Sequence, residues 1–392
     1  MRIAFIVIGN SRRSNYLNGY NLRYGGGGGS GTDSSSVLVA EYLAKQGHEV
    51  VFVADELEPG LIQHYAEMGR TYIPGEEFYG VKYTNSNFDG IENKEFDILV
   101  SMLWFHDYNK LPITVTKSII YWSHMQWIYG IDEIVNYATD NKLSLGFVHI
   151  SEWEKSMNGE LTTRIKNNHS EKNVQITTIA NPVMDELIQE VLDKPPERIP
   201  HKFVFHAAWA RGGNVAVEAV RQLNYDDAEF HAFDYLLSTH HHPDEFFNLH
   251  NGVDKATLFK HVAESEYFIY PLYTPYQDVH KDTFSCVVAE AIALGAIVVT
   301  YPLGAVPENF DGYCVWLDLP TDVDLDAIQK ESLTKDLDGK FNITNNIVEK
   351  IQYLENNPHI KENIRAKGAA YILSKFNINT IGTQWVDLIN KL

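Results

Sequence analysis

Short runs of β-branched and aromatic residues alternate with stretches of helical periodicity along the whole chain. In the first half the runs are RIAFIVIG at the start, VVFVAD near 50–55, DILVSM near 97, SIIYWSH near 118, GFVHIS near 146 and QITTIA near 175. Such alternation predicts parallel sheets, because each strand returns to its sheet through a helical crossover. Between the first two runs, SSSVLVAEYLAKQGHEV has serines able to cap, apolar residues on one face and Gly47 at its end, the marks of a complete helix.

The segment DKPPERIPHK, residues 193–202, holds three prolines and mixed charge without periodicity, and so predicts a domain boundary. The pattern then restarts with KFVFHAA, a helix in NVAVEAVRQLN, AEFHAFDY, a helix near DKATLFKHVAE, EYFIYPL, a helix in TFSCVVAEAIALG, AIVVTYP and GYCVWLD. Residues 344–374 predict two further helices parted near Asn357-Pro358, and the tail FNINTIGTQWVDLINKL has apolar residues at helical spacing.

Length and composition narrow the function classes. At 392 residues with 44% hydrophobic content, two α/β domains are expected, one over 1–192 and one over 193–375. No apolar run approaches the roughly 20 residues that span a bilayer. With 32 basic against 52 acidic residues the chain repels a polyanion at long range, which sets nucleic acid aside, while a small anionic ligand still binds where local cations and helix N-termini decide. MRIAFIVIGN reads as a first buried strand. Cys286 and Cys314 are the only cysteines and suit a reducing, cytoplasmic setting.

Candidate chemistry concentrates in HKDTFSCVVAEAIALGAIVVT, residues 280–300. A helix from about Phe284 to Leu294 is apolar on nearly every side except at Glu290, and a carboxylate in such surroundings needs a partner. In a regular helix Asp282 would lie about 12 Å from Glu290 along the axis. One reading has Glu290 accepting from ribose hydroxyls, the backbone N–H groups of Thr283, Phe284 and Ser285 meeting a diphosphate, and Asp282 reaching a sugar. The other makes Asp282 an ordinary N-cap and Glu290 half of a buried ion pair.

Two acids separated by seven residues, then a small-residue helix ending in glycine and a strand, resemble the signature of family 4 of the retaining GT-B glycosyltransferases. Asp282 stands where that family normally has Glu, and Glu290 occupies the second position. AWARGGNVAVEAV, residues 208–220, resembles the family's phosphate-binding loop and following helix, with Arg211 at the usual Lys position and an earlier loop Arg missing. LHNGVDKATL resembles the turn that contacts the base, through Val253. His124 in SIIYWSHMQW matches the family's His near the acceptor and the sugar 6-hydroxyl. GGGGGSGT, residues 25–32, resembles the first domain's glycine loop, where Gly28 and Gly31 would permit close approach to phosphate or acceptor. A solvated loop is the competing reading of that tract.

The resemblance implies two Rossmann-like domains facing each other across a cleft, with helix 376–392 packing back on the first. It implies metal-independent transfer of a hexose to a glycan hydroxyl with retention, the leaving diphosphate taking the acceptor proton and no protein nucleophile. His124, Arg211 and Asp282 are the expected catalytic residues, and Gly28, Gly31, Arg211, Val253, Asp282, Thr283, Phe284, Ser285 and Glu290 the donor contacts. GDP-mannose leads as donor, UDP-glucose follows, no cofactor is expected, and a homodimer would be ordinary. The shortened acid and the glycine tract also resemble virus-encoded members.

Three rivals stand beside this expectation: a GT-B sugar-nucleotide epimerase or phosphorylase, a dinucleotide-dependent oxidoreductase, and a degenerate sugar-nucleotide-binding protein. The glycine tract fits GxGxxG formally, with Asp55 after the second strand, but follows the first strand too late for a dinucleotide fingerprint. No metal site is expected. His240, His241 and His242 are adjacent and cannot readily converge, and TDVDLDAI, residues 321–328, lacks the glycine and distal Glu of a calcium loop.

Overall fold

A computed structural model describes residues 1–7, 17–25, 30–54, 73–102, 108–125, 128, 131–168, 174–234, 244–272, 281–319 and 342–392. The chain divides into two compact units, one reaching to Pro182 and taking in Ile378–Leu392, the other running from Val183 to Asn377. The proline-rich segment 193–202 therefore lies inside the second unit.

The first unit is built on an eight-stranded sheet of order β3-β4-β2-β1-β5-β6-β7-β8. Its strands are β1 Arg2–Val7, β2 Glu49–Ala54, β3 Glu76–Phe78, β4 Val81–Thr84, β5 Glu95–Met102, β6 Thr114–Trp122, β7 Ser144–His149 and β8 Val174–Thr178. All neighbours pair in parallel except β3 and β4, which form an antiparallel hairpin at the edge. Helices cover both faces of a parallel sheet, so its central strands read as continuous apolar runs. Ile3–Val7 and Val50–Val53 are buried accordingly.

The described helices of this unit up to residue 182 are α1 Gly19–Tyr24, α2 Gly31–Lys45, α3 Ile131–Asp140, α4 Glu152–Met157 and α5 Gly159–Asn168. A capping box starts α2. The Ser30 hydroxyl accepts from the Asp33 amide at 3.2 Å, and the Asp33 carboxylate accepts from the Ser30 amide at 2.9 Å.

The second unit has a six-stranded, wholly parallel sheet of order β11-β10-β9-β12-β13-β14. These strands are β9 Ile199–His206, β10 Glu229–Asp234, β11 Phe247–Asn251, β12 Ser265–Tyr270, β13 Ile297–Thr300 and β14 Cys314–Trp316. Counted from its own first strand the order is 3-2-1-4-5-6, the doubly wound nucleotide-binding arrangement. Its helices are α6 Asp185–Asp193, α7 Gly213–Leu223, α8 Lys255–Glu264, α9 Cys286–Ala293, α10 Val306–Phe310, α11 Ile343–Asn356 and α12 Pro358–Lys375.

The final helix, α13 Ile378–Lys391, belongs to the first unit. Its buried Trp385 meets the Trp122 ring edge-on at 4.5 Å, and Gly382 leaves room for Tyr42, whose ring a Cβ there would approach to 2.3 Å. Among the described residues no helix is long and apolar enough to cross a membrane.

Candidate functional site

In a doubly wound sheet the crevice opens beyond the carboxyl ends of the strands where the order reverses, here between β9 and β12. Both strands end there, β9 at His206 and β12 at Tyr270. After β9 the chain makes a 3-10 turn at Trp209–Arg211 and enters α7 through Gly212 at φ 112°. A Cβ on Gly212 would come 2.9 Å from Pro271, so the two loops press together at a point only glycine tolerates.

That turn aims Arg211 at the end of β12. Its Nη1 donates to the Tyr270 hydroxyl at 2.7 Å and to Asp282 Oδ1 at 3.0 Å, and the Tyr270 hydroxyl donates to Asp282 Oδ2 at 2.8 Å. Burial raises the Tyr270 pKa far above the usual phenol range, so the hydroxyl stays a neutral donor. The Arg211 and Asp282 side chains remain 29% and 12% exposed. Arg211 and Asp282 are thus brought together in the crevice, and Tyr270, which the sequence reading missed, joins them. The only trace of Tyr270 in the sequence is its place at the end of the run EYFIYPL.

Asp282 is held from behind. Its carbonyl accepts from the Ala305 amide at 2.9 Å, and Gly304 sits so close, at φ 63°, that a Cβ there would meet the Asp282 carbonyl oxygen at 2.5 Å. The helix expected from Phe284 begins two residues later, at Cys286. Ser285 stands at its N-cap with φ 73°, and the ladder opens with the Ala289 amide donating to the Ser285 carbonyl at 3.2 Å. A left-handed residue cannot lie within a helix, so the leading helical amides belong to Cys286–Val288 and not to Thr283, Phe284 and Ser285. The premise of one regular helix from Asp282 to Glu290 fails for the same reason. Phe284 turns into the core against Phe310 and Phe376, with ring centroids 5.8 and 5.0 Å away. The Ser285 hydroxyl is buried without a hydrogen-bond partner among the described residues.

Glu290 has the partner its surroundings demand. Lys255 Nζ donates to both carboxylate oxygens, at 3.0 and 2.8 Å, with side-chain exposures of only 4% and 5%. Lys255 opens α8, whose N-cap Asp254 accepts from the Thr257 amide at 2.7 Å, and half-buried Val253 precedes that cap. His206, at the end of β9, is buried, and desolvation with the nearby Lys255 charge lowers its pKa to about 3. Neither Lys255 nor His206 is visible from the acid spacing, since the pair joins residues 35 positions apart.

In the first unit His124 follows β6 and lies 4.7 Å from the Trp122 ring. Its Nε2 is enclosed, and desolvation lowers its pKa to about 3, leaving a neutral imidazole. Gly31 is the first residue of α2, where the Asp33 carboxylate already occupies the anion position at the helix N-terminus. Gly28, His240–His242 and residues 321–328 lie outside the described residues.

No family model matches the chain. No curated protein matches it either. Solved structures do. Sucrose-phosphate synthase from Thermosynechococcus elongatus superposes with a TM-score of 0.61 at 12% identity, over 100% of this chain and 98% of that one. A glycosyltransferase from Rickettsia africae gives 0.56 at 12% identity, over 99% and 97%. Anabaena HepE in complex with UDP-glucose gives 0.56 at 11% identity, over 100% of both chains. At such identities the likeness shows fold alone: this chain has the GT-B glycosyltransferase fold, with two Rossmann-like units.

Proposed function

We propose that the protein is a glycosyltransferase that moves a hexose from a nucleoside-diphosphate sugar to a glycan hydroxyl. The observation that carries this reading is the Arg211–Tyr270–Asp282 cluster at the strand-order reversal of a 3-2-1-4-5-6 sheet, beside the N-terminus of α9. A partly exposed guanidinium and the leading helical amides together suit a diphosphate, and stabilise the charge that develops on it as the glycosidic bond breaks.

Asp282 then orients the hexose. Glu290, although paired with Lys255, keeps acceptor positions for ribose hydroxyls, because a carboxylate offers roughly four lone-pair sites. Val253 contacts the base. His124, as a neutral imidazole, hydrogen-bonds a sugar hydroxyl. Transfer proceeds on one face with retention and without a metal at the reacting diphosphate. The donors to separate are GDP-mannose, expected from the sequence resemblance, and UDP-glucose, the donor bound to HepE.

Calorimetric titration with a panel of nucleotide sugars tests the reading. One donor should bind with micromolar affinity, Arg211→Ala should weaken it at least tenfold, and turnover with a glycan acceptor should persist in chelator. Epimerisation of the donor without any acceptor, or binding without transfer or hydrolysis, would assign the fold to another use.

A further inference from the structure

Three histidines outside the Arg211–Tyr270–Asp282 cluster converge on one face of the second sheet. His231 on β10 and His250 on β11 share that face, because Phe233, two residues after His231, pairs in register with His250. His261, in the last turn of α8, comes down onto them, and one nitrogen from each ring lies within 4.8 Å of the others. His250 is level with Phe233 and His206 near the carboxyl ends of their strands, while His261 lies one turn before the start of β12, so the cluster sits under α8 along the face of the sheet.

The rings are fixed and their lone pairs partly assigned. His231 Nε2 lies 3.0 Å from Glu229 Oε2, and a carboxylate only accepts, so this nitrogen carries the proton and Nδ1 keeps its lone pair. That Nδ1 faces His250 Nε2 at 2.9 Å. Phe233 stacks on the His250 ring at 4.5 Å with planes 9° apart, which holds its orientation. Lys202 Nζ, 3.2 Å from His261 Nδ1, shows that a cation is already tolerated here, and Glu264 holds the same ammonium at 2.7 Å. Two carboxylates, Glu229 and Glu264, balance two ammoniums, Lys202 and the exposed Lys260, whose Nζ lies 4.0 Å from Glu264.

We propose that His231, His250 and His261 bind one divalent transition-metal ion of the zinc class, with Glu229 orienting His231 from the outer shell. A tetrahedral ion with metal–nitrogen bonds near 2.0–2.1 Å sets ligand nitrogens about 3.3 Å apart, so the His231–His250 separation opens by a few tenths of an ångström. His250 moves its proton to Nδ1, and Lys202 turns fully to Glu264. His250 and His261 are half-buried, so water can supply the fourth ligand. The ion clips α8 to β10 and β11 and acts structurally.

The full chain, stripped with chelator, is titrated with Zn²⁺ and then with Co²⁺. One tight site per chain, a rise in Tm and the visible absorption of tetrahedral cobalt are expected. His250→Gln and His261→Gln should each weaken Zn²⁺ binding at least about a hundredfold, and Glu229→Gln roughly ten- to hundredfold. Replacing His240, His241 and His242 by alanine should leave the affinity unchanged. Should His231→Gln fail to fold, the two half-buried positions decide. Zinc lost with the His240–His242 run yet retained in His250→Gln and His261→Gln, or no stoichiometric binding at all, would overturn the proposal.

Discussion

Two acid–base pairs of the second unit, Lys255–Glu290 and Arg211–Asp282, differ in what surrounds them. Lys255–Glu290 is sealed, with both side chains at most 5% exposed, whereas Arg211–Asp282 is open on the arginine side and bridged by a tyrosine. A sealed pair holds helices together: α8 and α9 are locked at the point where each begins or passes the sheet. An open one keeps its charge available to a ligand. Glu290, which the sequence left open between a ribose contact and a buried ion pair, is the more enclosed of the two acids, while the shortened Asp282 has the partly exposed Arg211 beside it.

The comparison is broken most sharply by cutting each pair in turn. Lys255→Ala leaves a buried carboxylate uncompensated and should cost about 3–5 kcal/mol of stability, read by urea denaturation. Arg211→Ala should change stability by no more than about 1 kcal/mol. It should lower turnover by about 10²–10³, as expected for loss of one charge-stabilising donor, measured in steady state. Equal loss of stability in both variants would erase the distinction. Tyr270→Phe removes one bridging hydroxyl and should cost about 1 kcal/mol, with a turnover loss under tenfold.

The last contrast is a pH dependence, slight just below pH 6.5 and growing as the pH falls. His124 and His206 have folded pKa values lowered to about 3, against an unfolded value of 6.5. Between those limits the unfolded chain binds more protons, so their contribution is present above pH 6.5 and is lost as pH falls toward 3. Denaturation midpoints across that range should fall with pH, and more gently in His206→Gln.

Most of the fold was legible in the sequence. The apolar runs from RIAFIV to CVW became the sheet strands, because strands buried on both faces must be continuously apolar. The helix α2 starts on a Ser30 cap, ahead of the serines at 34–36 that the sequence offered as caps. The β3–β4 hairpin was not, since Glu76–Phe78 is too short and polar to stand out. At the site, Asp282 could be named from its place ahead of an apolar helix, and Arg211 from the resemblance of its loop to the phosphate-binding loop of family 4 glycosyltransferases. Their bridge through Tyr270, the Lys255 partner of Glu290 and the two-residue delay of α9 depend on strand order and on the left-handed Ser285, which no spacing along the chain encodes.

The central claim is that a donor diphosphate lies against Arg211 at the mouth of α9. Its most direct test is a crystal structure with UDP-glucose or GDP-mannose soaked in. The claim predicts phosphate oxygens within hydrogen-bond reach of Arg211 and of the Cys286–Val288 amides. A donor bound elsewhere, with Arg211 still turned to Tyr270 and Asp282, would contradict it.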